Sequence, residues 1–151
     1  MECECLTGEI RTRIESELDV KAYIQDLKFA LNNGAHIEFQ VRRRVDEKRD
    51  EKYTNIYTVN KLFPDENPVC ALKRELLTIS VENYIQTVKD IRFQRRSEMR
   101  EFGKQYDGEG DVYIKIRVEL LGFYGNTTTF VMSFHFAEKS FTSDMFPYRK
   151  V

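Results

Sequence analysis

Tyr113, Lys115 and His135 bring a phenol, an ammonium and an imidazole into two stretches that alternate apolar and polar side chains. In the first, within FGKQYDGEGDVYIKIRVEL (Phe102 to Leu120), Val112, Ile114, Ile116 and Val118 share one parity, while Tyr113, Lys115 and Arg117 share the other. In the second, TTTFVMSFHFAE (Thr127 to Glu138), Phe130, Met132, Phe134 and Phe136 alternate with Val131, Ser133 and His135. A two-residue rhythm belongs to half-buried strands. The connection LGFYGN (Leu121 to Asn126) holds two glycines and an asparagine, which tolerate the positive φ angles of a tight reversal. The two stretches therefore read as a hairpin. With both apolar rows on one core, strict alternation sends Tyr113, Lys115, Arg117, Ser133 and His135 to the opposite face together.

That set suits work on a phosphodiester. RNA cleaves itself when its 2′-hydroxyl is deprotonated, the phosphorane charge is stabilised and the departing 5′-oxygen is protonated, a reaction that requires no metal or cofactor. An imidazole, with an ordinary pKa of about 6.5, moves a proton in either direction. Lys115 and Arg117 are placed to stabilise charge on the nonbridging oxygens, and Tyr113 to stack on a base or donate a proton. His135 is thus expected as acid or base, with Lys115 as the main electrostatic group. The plainer reading is a solvated strand face with His135 bonded to a neighbour. Arg42, Arg43, Arg44, Arg95, Arg96 and Arg100 form basic clusters that would hold an RNA backbone without regard to sequence, or dock an acidic partner.

Other elements must position these groups. In DVKAYIQDLKFALNNG (Asp19 to Gly34), Val20, Tyr23, Ile24, Leu27 and Leu31 form one helical stripe, with Asp19 as N-cap and Gly34 as terminator. Upstream, Ile10, Ile14 and Leu18 lie four apart, as a short helix or an extension of that one would have them. HIEFQVRRR (His36 to Arg44) alternates as a strand, and VDEKRDEK (Val45 to Lys52) reads as an exposed loop. YTNIYTVNKLF fits strand or helix. Pro68 suits the first turn of a helix through ALKRELLTI, and Ser80 can cap a further helix, VENYIQTVKDI. EMREFGKQY (Glu98 to Tyr106) predicts another strand, turning through DGEGD into the Val112 strand. With Phe102 inward, Gln105 and Glu101 share the polar parity and Lys104 falls one position off; a bulge near Gly103 would bring Lys104 in instead. The expected architecture is α+β: helices packed on an antiparallel sheet that ends in a meander.

Composition sets the outer bounds. At 151 residues the chain fits a single domain, residues 1–151, in which residues 1–18 are a candidate for a loosely attached extension. Eleven Phe and eight Tyr supply a core, and no apolar run reaches the length of a membrane span. The start, MECECLTGEIRTR, lacks the apolar stretch of a secretory signal, which predicts a cytoplasmic protein. Three cysteines, Cys3, Cys5 and Cys70, do not make a disulfide framework, and Cys3 with Cys5 has no second pair to complete a metal site. The formal net charge of -1 conceals the segregated arginines.

The runs LTISVENY (Leu77 to Tyr84), EMREFGK, GDVYIKI and SFHFAE resemble, in order and approximate spacing, the MqsR-like toxins of type II toxin–antitoxin systems, in the RelE/ParE-like superfamily. The likeness extends from the Asp19 helix to FPYRK, and Arg42 to Arg44 match a basic patch of that family. The resemblance implies a RelE-like fold and an mRNA interferase that cleaves transcripts, free or on the ribosome, and arrests growth. It implies a cognate antitoxin, typically a zinc-containing protein with a helix-turn-helix. Carried over by residue, it points to Tyr113 and Lys115, to Lys104 or Gln105 after FGK, and to His135. A related protein that keeps the fold and binds a protein partner or RNA without cleaving is the alternative.

Overall fold

The computed structural model describes residues 10–41, 50–93, 95–121 and 126–150. Six strands form one sheet in the order β1–β3–β4–β5–β6–β2: β1 Ile10–Arg13, β2 His36–Phe39, β3 Tyr84–Asp90, β4 Met99–Tyr106, β5 Gly110–Leu121 and β6 Asn126–Phe136. Neighbours run antiparallel except β2, which lies parallel to β6. The helices α1 Glu17–Asn32, α2 Asn55–Leu62 and α3 Pro68–Leu76 share one core with the sheet. The α+β expectation holds in this form, as a mostly antiparallel sheet with three helices.

Each helix begins where a side chain satisfies its first amides. Ser16, rather than Asp19, caps α1: its Oγ accepts from the Asp19 amide at 3.1 Å, which leaves Asp19 in the first turn beside the positive end of the helix dipole. Gly34 ends the helix at φ +85, a left-handed conformation that costs glycine nothing. Thr54 caps α2, which settles the open segment as helix. Asn67 caps α3 through the amides of Val69 and Cys70, with Pro68 in the first turn. The stripe Val20, Ile24, Leu27 and Leu31 is buried against the sheet, where each side chain of this size contributes roughly 1.5–3 kcal/mol by leaving water.

Two expected helices are strands. Ile10–Arg13 is the edge strand β1, paired with β3, and Ile10, Ile14 and Leu18 are exposed rather than stacked on a helical face. Residues 10–15 are firmly attached to the sheet. Buried Glu15 accepts two hydrogen bonds from Arg100, at 3.0 and 3.1 Å, and one from Thr87. The Val81–Ile91 segment makes one short turn and then becomes β3. Asn83 ends the turn, because its Oδ1 accepts the Ser80 amide at 2.8 Å. Tyr84, Thr87 and Val88 then pack from a strand flanked on both sides, an environment that favours β-branched and aromatic residues.

The hairpin forms as its alternation predicts, with one slip. Lys115 faces Ser133 but Ile116 faces Val131, so β6 carries an extra residue at Met132. Val131 therefore turns into the core beside Ile116 instead of joining the polar row. The bulge is held from α2, where the Asn55 Nδ2 donates to Met132 O at 3.1 Å and to Gln40 O at 2.8 Å, and its Oδ1 accepts the Phe134 amide at 3.0 Å. Thr58 Oγ1 accepts the Phe136 amide at 2.9 Å. Beyond the reach of short β2, helix side chains thus complete the β6 edge that an unpaired strand would otherwise leave open.

Candidate active site on the outer face of the sheet

Tyr113 and His135 are directly opposite on β5 and β6, and Lys115 with Ser133 form the next outward pair. All four side chains leave the face away from the helices, as alternation requires. The Tyr113 and His135 rings lie 5.5 Å apart at 38°. Lys115 is the diagonal neighbour of His135, a relationship that spans roughly 7–8 Å. The expected wall of phenol, ammonium and imidazole is therefore present.

Local contacts orient each group. His135 Nδ1 lies 3.0 Å from the Phe136 carbonyl oxygen, which can only accept, so Nδ1 carries the proton and Nε2 is the nitrogen able to exchange one. Lys115 Nζ stands 4.0 Å from Glu101 Oε2 and 6.0 Å from the centre of the Tyr113 ring. Buried Glu101 accepts from Gln86 Nε2 at 2.9 Å. The ammonium is thus steered by a carboxylate that is itself held.

Residues 137–150 supply a wall. As far as Phe146 they cross the outer face as a strap, and with Tyr113 and His135 they line an open cleft of about 490 Å³ through Ala137, Phe141, Thr142 and Met145. The Phe141 amide donates to Asp111 Oδ2 at 2.7 Å, and the Phe141 and Phe146 rings meet edge to face at 5.5 Å over Gly103. A Cβ on Gly103 would lie 2.7 Å from Phe141 Cε2 and 2.9 Å from Phe146 Cζ, so only glycine leaves room for the strap. Further on, Tyr148 stacks on Tyr84 at 6.1 Å and donates to Glu15 O.

The remaining expected residues fall in several places. Gln105 is exposed, opposite Asp111, on the outward parity. Arg117 continues the outward row of β5, about 13 Å along the strand from Tyr113 at ~3.3 Å per residue. That row leads toward the β3–β4 connection, where exposed Arg95 and Arg96 sit, the Arg96 guanidinium 4.0 Å over the Phe93 ring. Arg42, Arg43 and Arg44 lie outside the described residues, as do Cys3, Cys5 and the Phe123–Tyr124 part of the hairpin loop.

Lys104 does not belong to the group. The β4–β5 register is regular through Gly103, so Lys104 opposes Val112 and faces the helices. Its Nζ donates to Glu75 Oε1 at 3.2 Å and to Thr78 Oγ1. Burial alone would raise the Glu75 carboxyl, but hydrogen bonds from Tyr106 and Arg74, with the Lys104 charge, hold it below its usual range. Burial first, then the bond to Glu75, pushes the Tyr106 phenol upward. Lys104 thus braces β4 against α3.

Glu101 was visible in the sequence only as a matter of parity. Gln86 falls in a segment whose sequence reads as a helix, and nothing in FAEKSFTSDMFPYRK marks that stretch as a wall. Asn55 and Thr58, which fix the backbone on both sides of His135, lie in the segment the sequence left ambiguous. No spacing within YTNIYTVN marks them for that role. Among the described residues no His, Cys, Asp and Glu side chains gather as metal ligands, and no helix is long and apolar enough to cross a membrane. Comparison of the chain with protein-family models, curated proteins and solved structures finds no match.

Proposed function

We propose that the protein is a metal-independent endoribonuclease, an mRNA interferase of the MqsR-like, RelE-like kind that its sequence motifs resemble, with the Tyr113–His135–Lys115 face as the active site. The observation that carries this reading is the direct pairing of Tyr113 with His135 in the wall of a cleft, with Lys115 diagonal to His135. His135 Nε2 takes the proton of the 2′-hydroxyl, and the new 2′-oxygen attacks the adjacent phosphorus. The bond to the 5′-oxygen breaks, leaving a 2′,3′-cyclic phosphate on one product. Tyr113 donates its phenolic proton to the departing 5′-oxygen. Lys115 stabilises the charge that builds on the nonbridging oxygens. Arg117, Arg95 and Arg96 extend a cationic track for the strand leaving the site.

A cytoplasmic toxin of this kind would have a neutralising partner, a zinc-containing helix-turn-helix antitoxin whose gene lies alongside. The test is expression of the wild type, Lys115→Ala and His135→Ala with growth and RNA integrity followed together. Wild type should arrest growth and cut RNA, and both variants should be folded and inert. Purified, folded wild type that cuts neither free RNA nor RNA on translating ribosomes would instead make this a binding module on the same scaffold.

A further inference from the structure

A second cavity, of about 310 Å³, shares Ala137, Glu138 and Ser140 with the cleft beside His135. One of its walls carries Lys52, Tyr53, Tyr57 and Lys61, from the turn Glu51–Tyr53 and helix α2. Tyr57 and Lys61 are four residues apart and so share a helix face. The Tyr57 ring rests edge-on against Phe136 at 6.3 Å, and Lys52 Nζ lies 5.2 Å over the Tyr53 ring. Aromatic faces interleaved with ammonium groups are the chemistry that holds a base by stacking and its phosphate by charge. The opposite wall carries the carboxylates of Glu109, Asp111 and Glu138, of which Asp111 already accepts the Phe141 amide. Carboxylates repel phosphate and accept from amino and imino groups, so this wall suits the donor edge of a base. A ligand with an anionic end, a flat π-face and a donor edge is a nucleotide.

We infer that this cavity is a subsite for a nucleotide beyond the two that flank the scissile linkage of a single-stranded RNA, with its base against Tyr53 and Tyr57 and its phosphate toward Lys52 and Lys61. The inference rests on the ribonuclease reading. The strand would pass over Ala137, Glu138 and Ser140, which border both cavities, so the strap acts as a saddle between the reacting linkage and the held base.

The test uses fluorescence anisotropy with a single-stranded hexanucleotide made uncleavable by a 2′-deoxy sugar at the scissile position, a dinucleotide cleavage assay, and a free mononucleotide. Tyr57→Ala and the exposed-site variant Lys61→Glu should each weaken hexanucleotide binding by roughly 5- to 100-fold, the range of one lost stacking or phosphate contact. Both should leave kcat/KM on the dinucleotide at the wild-type value, since that substrate does not reach the second cavity. Wild-type hexanucleotide affinity in both variants, with RNA cleavage intact, overturns the subsite and spares the ribonuclease reading. If wild type neither binds nor cuts RNA, both fall. Weakened binding of the free mononucleotide with unchanged hexanucleotide binding overturns the RNA assignment in favour of a small-molecule site.

Discussion

Tyr113 and His135 face one another across β5 and β6 with ring centres 5.5 Å apart, and the Phe136 carbonyl assigns the His135 proton to Nδ1. With Nδ1 donating there, Nε2 is the ring nitrogen that carries the lone pair. On the ribonuclease reading, His135→Ala should lower the cleavage rate by roughly 10²–10⁴-fold, the usual worth of a general base. Tyr113→Phe keeps the ring and removes the proton, so its loss should appear in kcat with KM little changed. Single-turnover cleavage of a defined RNA separates the two parameters.

Lys115 is steered by Glu101, and Glu101 by Gln86. Lys115→Ala should cost roughly 10²–10³ in rate, as removal of one preorganised charge-stabilising group does. Glu101→Gln should leave the fold in place and cost less, because the ammonium remains but loses its guide. A rate for Glu101→Gln below that of Lys115→Ala would show that the carboxylate has a role of its own.

Asn55 joins Gln40, Met132 and Phe134 from a fully enclosed position. Asn55→Leu leaves two carbonyls and an amide without their partner, at about 1–3 kcal/mol for an orphaned group. A clear fall in the urea midpoint is expected. Cleavage should fall beyond what the folded fraction explains, because the bulge sets where His135 points.

Acid should destabilise the fold through three carboxylates. Burial works against the Glu15 charge, yet hydrogen bonds from Arg100 and Thr87 hold its pKa below the ordinary 4.5. For Glu98 the leading cause is the hydrogen bond from Arg13, and Glu75 is lowered as well. The folded pKa values are depressed, so the unfolded chain takes up protons first as pH falls. The stabilisation is complete above about 4.5 and is lost as pH drops through the folded values. Glu15→Gln should melt about 3 kcal/mol less stably at pH 7, since it takes from Arg100 the buried carboxylate it meets at 3.0 and 3.1 Å, and should show a shallower further loss between pH 5 and pH 3. Thermal melts across that range measure both.

Gly103→Ala should lift the strap. Its Cβ meets Phe141 and Phe146 at 2.7 and 2.9 Å, a clash of the kind that costs about 1–3 kcal/mol. Proteolysis between residues 137 and 150 should accelerate, while the protease resistance of the sheet is retained.

The outward row of β5 could be read from its residues because period-two alternation is a local property that the fold only had to respect. The α1 stripe was legible for the same reason. Val81–Ile91 misled because Ser80 and Glu82 carry a helix-start signal that the structure uses for a single turn, after which flanking strands on both sides override local preference. Val131 misled because one bulged residue at Met132 reverses parity for everything beyond it. The strap was invisible in principle, since it is held by contacts between residues far apart in the chain, such as Phe141 with Asp111 and Tyr148 with Glu15.

The strap also imposes an order on assembly. A growing polypeptide released only through residue 136 would already hold the six described strands, with the phenol, ammonium and imidazole in their outward rows. It would still have a bare plateau where the mature molecule has a groove. Those three groups and their enclosure thus arise at separate moments of translation, and residues 137–150, which follow β6 in the chain, turn a flat surface into a receptacle.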